Sequence, residues 1–155
     1  MTNLRLLVLF LIVTLGGGLL VGLTNQPGEW YDTLQKPFFN PPNWVFGPAW
    51  TTLYVLIAIA GARIFARARG SVAMIAWWAQ LVLNFAWMPT FFTLQRPDLA
   101  MIVIALLLVS ILVFIATTWR RDRLSALLFL PYLLWTLYAS ALNYALWQMN
   151  PTAGA

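Results

Sequence analysis

The chain has 155 residues, 62% hydrophobic and only 8% charged, with nine Lys or Arg against four Asp or Glu and a mean hydropathy of +0.80. That balance excludes a soluble globular domain and identifies a membrane protein. Neither His nor Cys occurs, which removes the usual haem ligands, zinc sites, thiol nucleophiles, disulfides and the imidazole acid/base; only Tyr or Met could reach a haem iron axially.

Cut at its charges, the sequence leaves five charge-free runs: 6–28, 37–62, 70–95, 99–119 and 124 onward. Each exceeds the roughly 20 residues that cross about 30 Å of hydrocarbon as a helix. The runs do not alternate polar and apolar residues, so a transmembrane β-barrel is excluded. The prediction is an all-α membrane protein, a five-transmembrane-helix bundle in one domain over 1–155, with spans over about 5–25, 43–66, 71–94, 97–119 and 123–148 and a structured loop between the first two.

In the first run, Arg5 ahead of an apolar stretch has the look of a secretory signal, but the stretch is too long and Gly16-Gly17-Gly18 lies mid-span, so it is assigned as a helix. The connection that follows contains Trp30-Tyr31 and then Lys36-Pro-Phe-Phe-Asn-Pro-Pro-Asn-Trp-Val-Phe-Gly-Pro-Ala-Trp50. Pro37, Pro41 and Pro42 fix φ and remove backbone donors, so 36–42 is predicted as an ordered extended or turn segment at the membrane surface, with Asn43 capping the second span. Pro48, Pro89 and Pro131, inside the second, third and fifth spans, are expected to bend their helices and open space between them. Pro97 and Asp98 suit the start of the fourth span, Arg120 and Arg121 its end, and Asp122 is a candidate cap for the fifth.

If five spans alternate, Arg5, Arg63, Arg67, Arg69, Arg120, Arg121 and Arg123 share one side while Lys36 and Arg96 lie on the other. This asymmetry predicts an internal N-terminus and an external 36–42 segment and C-terminus; no motif supports a nucleic-acid partner. No Asp, Glu, Lys or Arg is expected inside a span, so an ion-coupled pump lacks its usual intramembrane carboxylate. An odd span count without a visible repeat also speaks against an inverted-repeat transporter.

The spans carry aromatic and amide groups at helical spacing. Phe46, Trp50 and Tyr54 form one stripe; Gln80, Asn84, Trp87 and Phe91 a second; Trp135, Ala139, Leu142 and Asn143 a third, flanked by Tyr132 and Tyr138. Trp30, Trp44, Trp119 and Trp147, near span ends, suit an interfacial belt. Asn84 and Asn143 suit either interhelical hydrogen bonds or ligand contact, since an amide in hydrocarbon needs a partner in both cases. A small-residue stripe, Ala76, Ala79, Leu83 and Ala86, is the first candidate dimer surface, and Gly18-x-x-x-Gly22 is its rival; either could be intramolecular instead.

The loop signature together with Trp50-Thr-Thr-Leu-Tyr54, Asn84-x-x-Trp87, and Pro131-Tyr132-x-x-Trp135 followed by Ala139 and Leu142-Asn143-Tyr144 resembles the TspO/MBR family (tryptophan-rich sensory proteins and translocator proteins, the peripheral-type benzodiazepine receptors) over the whole chain. The resemblance implies a five-helix bundle, a homodimer, and a cavity under the first loop that binds porphyrins (protoporphyrin IX or haem) and other flat apolar ligands in tetrapyrrole sensing, transport or regulation, with no required cofactor or metal. It implies ligand contacts at Trp50, Asn84 and Trp135, an aromatic loop contact at Tyr31 and a size-sensitive position at Ala139; the stripes add Phe46, Tyr54, Trp87, Leu142 and Asn143. A porphyrin should stack on the rings, its carboxylates seeking the Trp30 or Trp50 indole N–H, the Asn84 amide or Lys36 at the rim. It also implies a second activity, light-dependent oxidative breakdown of bound protoporphyrin, for which Trp50 and Trp135 are the catalytic candidates; a structural membrane adaptor is a third reading. Where animal members place a basic residue after the last Tyr, this chain has Gln148, so tight sterol binding is not expected. That difference and the short termini point to a bacterial member, in an inner or an outer membrane.

Overall fold

The computed structural model describes residues 3–151, so the first two and last four residues of the expected 1–155 domain lie outside the described residues. Among the described residues, five helices are long and apolar enough to cross a membrane: α1 (Leu4–Thr24), α3 (Asn43–Ala68), α4 (Val72–Thr93), α5 (Pro97–Thr118) and α6 (Arg123–Met149). A short helix, α2 (Glu29–Thr33), lies in the first connection. The protein is an integral multi-pass membrane protein built as a five-helix bundle, and each long helix begins and ends within two residues of the expected bounds.

Three tight connections, at 69–71, 94–96 and 119–122, make neighbouring helices antiparallel. α4 packs along α5, α5 along α6, α6 along α3 and α3 along α1, while the second half of α1 returns to α4. The ring therefore closes through α1, the most lipid-exposed of the five. Glycines set its approach. A Cβ on Gly18 would come within 2.2 Å of the Tyr54 ring on α3, and one on Gly17 within 2.5 Å of Phe85 on α4. Thr14 donates across the same seam to the Tyr54 carbonyl at 3.0 Å, an interhelical bond formed where lipid offers no competing water. Gly18 is thus used within the chain and is unavailable to a second copy. So is Ala76, which is 6% exposed and packed in the core, whereas Ala79, Leu83 and Ala86 keep part of their surface. The outward face of α4 is instead Val72, Ile75, Trp78 and Val82.

The prolines act differently from one another. Pro48 falls in the first turn of the α-helical part of α3, where a missing N–H costs nothing, and α6 runs uninterrupted through Pro131. Pro89 begins a π-helical turn, Pro89–Thr93, and a second π turn, Ile12–Gly16, runs into the glycines of α1; neither turn was expected. Asn43 does not cap α3, because the N-cap position is Pro42 and Asn43 opens a 3₁₀ turn. Ser71 does cap α4, accepting from the Met74 N–H.

The expectation of charge-free spans needs correcting at one end. Arg63 and Arg67 belong to the last turns of α3, and their guanidinium groups meet Asp122. Asp122 is therefore no side-chain cap for α6: its oxygens take Arg63 at 2.8 and 3.1 Å, Arg67, and the Ser125 hydroxyl at 2.8 Å. Burial opposes the charge on this carboxylate, but the hydrogen bonds from Arg63 and Ser125 and the nearby arginines outweigh it and hold its pKa below the ordinary value.

Candidate functional site

At the opposite end, α3, α4, α5 and α6 diverge around a cavity of about 360 Å³ that the first connection covers. Its walls are Asn43, Phe46, Trp50 and Tyr54 of α3; Asn84, Trp87, Met88, Phe91 and Phe92 of α4; Ile104 and Leu107 of α5; and Trp135, Thr136, Tyr138, Ala139, Leu142, Asn143 and Leu146 of α6. Pro27, Tyr31 and Asp32 close the top. From Asn43 to Tyr54 the wall runs eleven residues along α3, about 17 Å of depth. All ten residues expected to contact a ligand, Tyr31, Phe46, Trp50, Tyr54, Asn84, Trp87, Trp135, Ala139, Leu142 and Asn143, border this one space.

Two aromatic clusters shape it. Trp50 stacks on Tyr54 at 5.5 Å and meets Trp135 edge-on at 6.3 Å, with Phe46 against Trp135 at 6.0 Å. Trp87 stacks on Phe91 at 5.3 Å, and Tyr31 packs edge-on against Phe92 at 5.5 Å. Beneath the cavity a chain of hydrogen bonds enters the core: the Tyr54 hydroxyl donates to Asn84 Oδ1 at 2.8 Å, Asn84 Nδ2 to the Tyr132 hydroxyl at 2.8 Å, and that hydroxyl to Gln80 Oε1 at 2.9 Å. Gln80 and Tyr132 are fully buried and belong to this chain rather than to the cavity wall. The second amide is spent likewise: Trp87 Nε1 donates to Asn143 Oδ1 at 3.0 Å, and Asn143 Nδ2 to the Pro97 carbonyl at 2.9 Å. Both asparagines thus act as interhelical glue and line the cavity at once. The Trp135 Nε1–H is different: it is buried and has no acceptor among the described residues.

The cover is fastened at several points. The Tyr31 hydroxyl donates to Asn40 Oδ1 at 3.2 Å, the Tyr138 hydroxyl to the Phe39 carbonyl at 2.7 Å, and Asn150 at the end of α6 exchanges two bonds with the Gln35 backbone at 2.9 and 3.0 Å. Burial pushes the Tyr31 phenol pKa up, with the Asn40 bond acting the other way, so the ring is neutral at physiological pH. Lys36, expected at the rim, is committed within the loop: its ammonium donates to the carbonyls of Tyr31 at 2.8 Å and Leu34 at 3.3 Å and lies 4.7 Å from the Tyr31 ring centre. Among the tryptophans assigned to a belt, Trp44 and Trp119 are exposed, while Trp30 packs on Phe91 under the loop.

Several wall residues escaped sequence reasoning for physical reasons. Met88 and Phe92 are immediate neighbours of expected residues, one step off the stripe that the 3.6-residue period marks, and Phe92 lies in the π turn at 89–93. Ile104 and Leu107 are aliphatic residues on a helix apolar all round, so no polar marker singles them out. Thr136, one residue after Trp135, and Leu146, four after Leu142, are misses that a wider reading of the α6 face would have included.

A membrane-spanning bundle that keeps an aromatic cavity under a fastened loop has the architecture of a membrane receptor. Comparison with known proteins makes the assignment specific. The TspO/MBR family model matches residues 9–148, and the chain belongs to that family. It is 42% identical to Protein CrtK of Rhodobacter capsulatus over 84% of both chains. It is 38% identical to the tryptophan-rich sensory protein of Cereibacter sphaeroides over 93% of this chain and 91% of that one. The likeness reaches animals: the translocator protein of Bos taurus is 35% identical over 90% of this chain and 86% of its own.

Proposed function

We propose that the cavity binds a tetrapyrrole, protoporphyrin IX or haem, and that the protein senses, carries or buffers that pigment in the membrane. The observation that carries this reading is the buried, acceptor-free Trp135 Nε1–H in a space walled by aromatic rings. A buried donor without a partner costs about 1–3 kcal/mol, which a flat ligand bearing an acceptor recovers on binding. The rings supply stacking surface, and the chain contains no histidine or cysteine to prefer a metal. Titrating protoporphyrin IX into the detergent-solubilised protein should quench tryptophan fluorescence saturably, and haem should compete about equally. Absence of saturation would refute the proposal and favour a structural adaptor; a strong preference for haem would refute its metal-independent form.

One contact favours a second reading, light-driven breakdown of the bound macrocycle. Trp50 and Trp135 meet at 6.3 Å and both border the cavity, so an excited pigment could take an electron from an indole, with dioxygen as terminal oxidant. Trp50→Phe and Trp135→Phe should each hold binding within about tenfold, as expected for loss of one hydrogen bond or an altered ring, and abolish photobleaching only if this chemistry operates. For assembly, we propose pairing of two chains along the part of α4 that keeps Ala79, Leu83 and Ala86 accessible; cross-linking in native membranes tests it.

A further inference from the structure

We propose that the basic end of the bundle is a binding surface for an anionic phospholipid, whose headgroup phosphate is received by Arg120, Arg121 and Arg123 in the turn between α5 and α6 and whose acyl chains lie on the exposed leucines of α6 beside it. This surface is at the end away from the cavity, and it stands independently of the tetrapyrrole reading.

The turn reads Arg120-Arg121-Asp122-Arg123, an acid set among three bases. The fold draws that acid away from its neighbours. Asp122 faces inward, its side chain only 7% exposed, and its oxygens receive Arg63 and Arg67 from the last turns of α3 and the Ser125 hydroxyl. Arg120, Arg121 and Arg123 stay exposed, with no carboxylate partner among the described residues. Counting every charge, bonded or not, Arg63, Arg67 and the three arginines of the turn meet one carboxylate, a net 5 − 1 = +4. The cavity end, with Lys36 and Arg96 against Glu29, Asp32 and Asp98, carries 2 − 3 = −1, so attraction for an anion belongs to this end alone. Position and chemistry point to a lipid as that anion. α5 ends at Thr118 and α6 begins at Arg123, which puts the turn at headgroup level. The Arg123 guanidinium rests 5.2 Å from the ring centre of Trp119, an exposed indole at that depth, which holds the cation at the rim without neutralising it. From Arg123 the same stripe of α6 continues to Leu127, with Leu124 beside it, both exposed. A free phosphate would engage the guanidinium groups only, whereas a phospholipid matches the arginines and the leucines together. Arginine suits the headgroup because its planar fork donates two parallel bonds to a phosphodiester, and basic clusters at membrane loops attract anionic lipids.

Dimyristoyl phosphatidylglycerol and dimyristoyl phosphatidylcholine have the same chains and differ in headgroup charge. Each is titrated into the full chain in uncharged detergent, with bound lipid per chain read by native mass spectrometry and stability by the thermal midpoint. Phosphatidylglycerol should bind about tenfold more tightly than phosphatidylcholine and raise the midpoint saturably, and salt should shrink that advantage. Inorganic phosphate at the same concentrations should leave the midpoint unmoved. Arg120→Gln combined with Arg121→Gln should cut the advantage to about threefold or less. Arg5→Gln combined with Arg69→Gln removes the same charge from the α1 side, where Arg69 lies over Phe65 and Phe65 packs on Phe10, and should keep most of it. Equal affinity for the two lipids overturns the proposal, and so does a full stabilising effect from phosphate alone, which would deny the lipid its part. Equal losses in the two double variants overturn the assignment to this turn.

Discussion

Gly18 decides where the cavity wall stands. Because a Cβ there would lie 2.2 Å from Cε2 and 2.6 Å from Cζ of Tyr54, Gly18→Ala must move a ring that is 8% exposed, donates to Asn84 and stacks on Trp50. Overpacking of this kind costs about 1–3 kcal/mol, so Gly18→Ala should lower the thermal midpoint and also weaken porphyrin quenching. Gly61→Ala is the informative control: its Cβ would meet the fully buried Trp77 indole at 2.4 Å, a similar clash far from the cavity walls. It should cost stability without changing ligand affinity in the protein that stays folded, and an affinity loss as large as that of Gly18→Ala would deny Tyr54 its special place. The same residue-scale reasoning applies to Tyr132, whose hydroxyl accepts from Asn84 and donates to Gln80. Tyr132→Phe leaves both amides short of a partner inside a fully buried chain where Gln80 Nε2 already lacks one. The expected loss is about 1–2 kcal/mol in a chemical or thermal unfolding measurement, against near neutrality if the chain contributed nothing.

Among the elements, the long helices were legible because charge-free runs of twenty or more residues have one structural solution in lipid, and their ends fall where Pro97 and Ser71 place them. What stayed hidden were departures from the 3.6-residue period. The π turns at Ile12–Gly16 and Pro89–Thr93 leave no mark in an apolar sequence, and the single turn of α2 is too short for periodicity to register. Asp122 was misread for a related reason: its position before α6 is that of a cap, and only the approach of α3 reveals that Arg63 and Arg67 claim it. This junction ties two helices that are distant in sequence, and it predicts acid sensitivity. Asp122 has its pKa lowered in the folded state, so its stabilisation is present above the unfolded carboxyl value of about 3.9 and is lost as pH falls through the lower folded value. Thermal midpoints measured in detergent should drop below about pH 4 in the wild type. Asp122→Asn should already be destabilised by about 1–3 kcal/mol at pH 7 and lose less on acidification, because it strands the half-buried Arg63 guanidinium. Equal acid slopes in the two proteins would remove Asp122 as the cause.

At the scale of the whole molecule, the cavity was legible to the extent that its walls carry marked residues. Trp50, Asn84, Trp87 and Trp135 announce themselves on apolar helices, whereas the α5 wall of Ile104 and Leu107 is made of residues indistinguishable from lipid-facing ones. The other molecular property set by sequence is polarity across the bilayer. Seven arginines, 5, 63, 67, 69, 120, 121 and 123, gather at one end with Asp122, a net 7 − 1 = +6, while the cavity end carries −1. Even after Arg63 and Arg67 neutralise Asp122, the first end keeps a large excess, and basic loops resist translocation. The cavity mouth should therefore face away from the cytoplasm. The chain has no cysteine of its own, so single reporters are clean. Phe38→Cys, at the fully exposed tip of the cover, should react with a membrane-impermeant maleimide in right-side-out vesicles, while Gly70→Cys, in the turn between α3 and α4, should react only after the vesicles are opened. The reverse pattern would place the mouth on the cytoplasmic side, and with it the side from which a pigment reaches Trp135; labelling of both sites in sealed vesicles would mean that the two ends of this chain do not choose a single orientation.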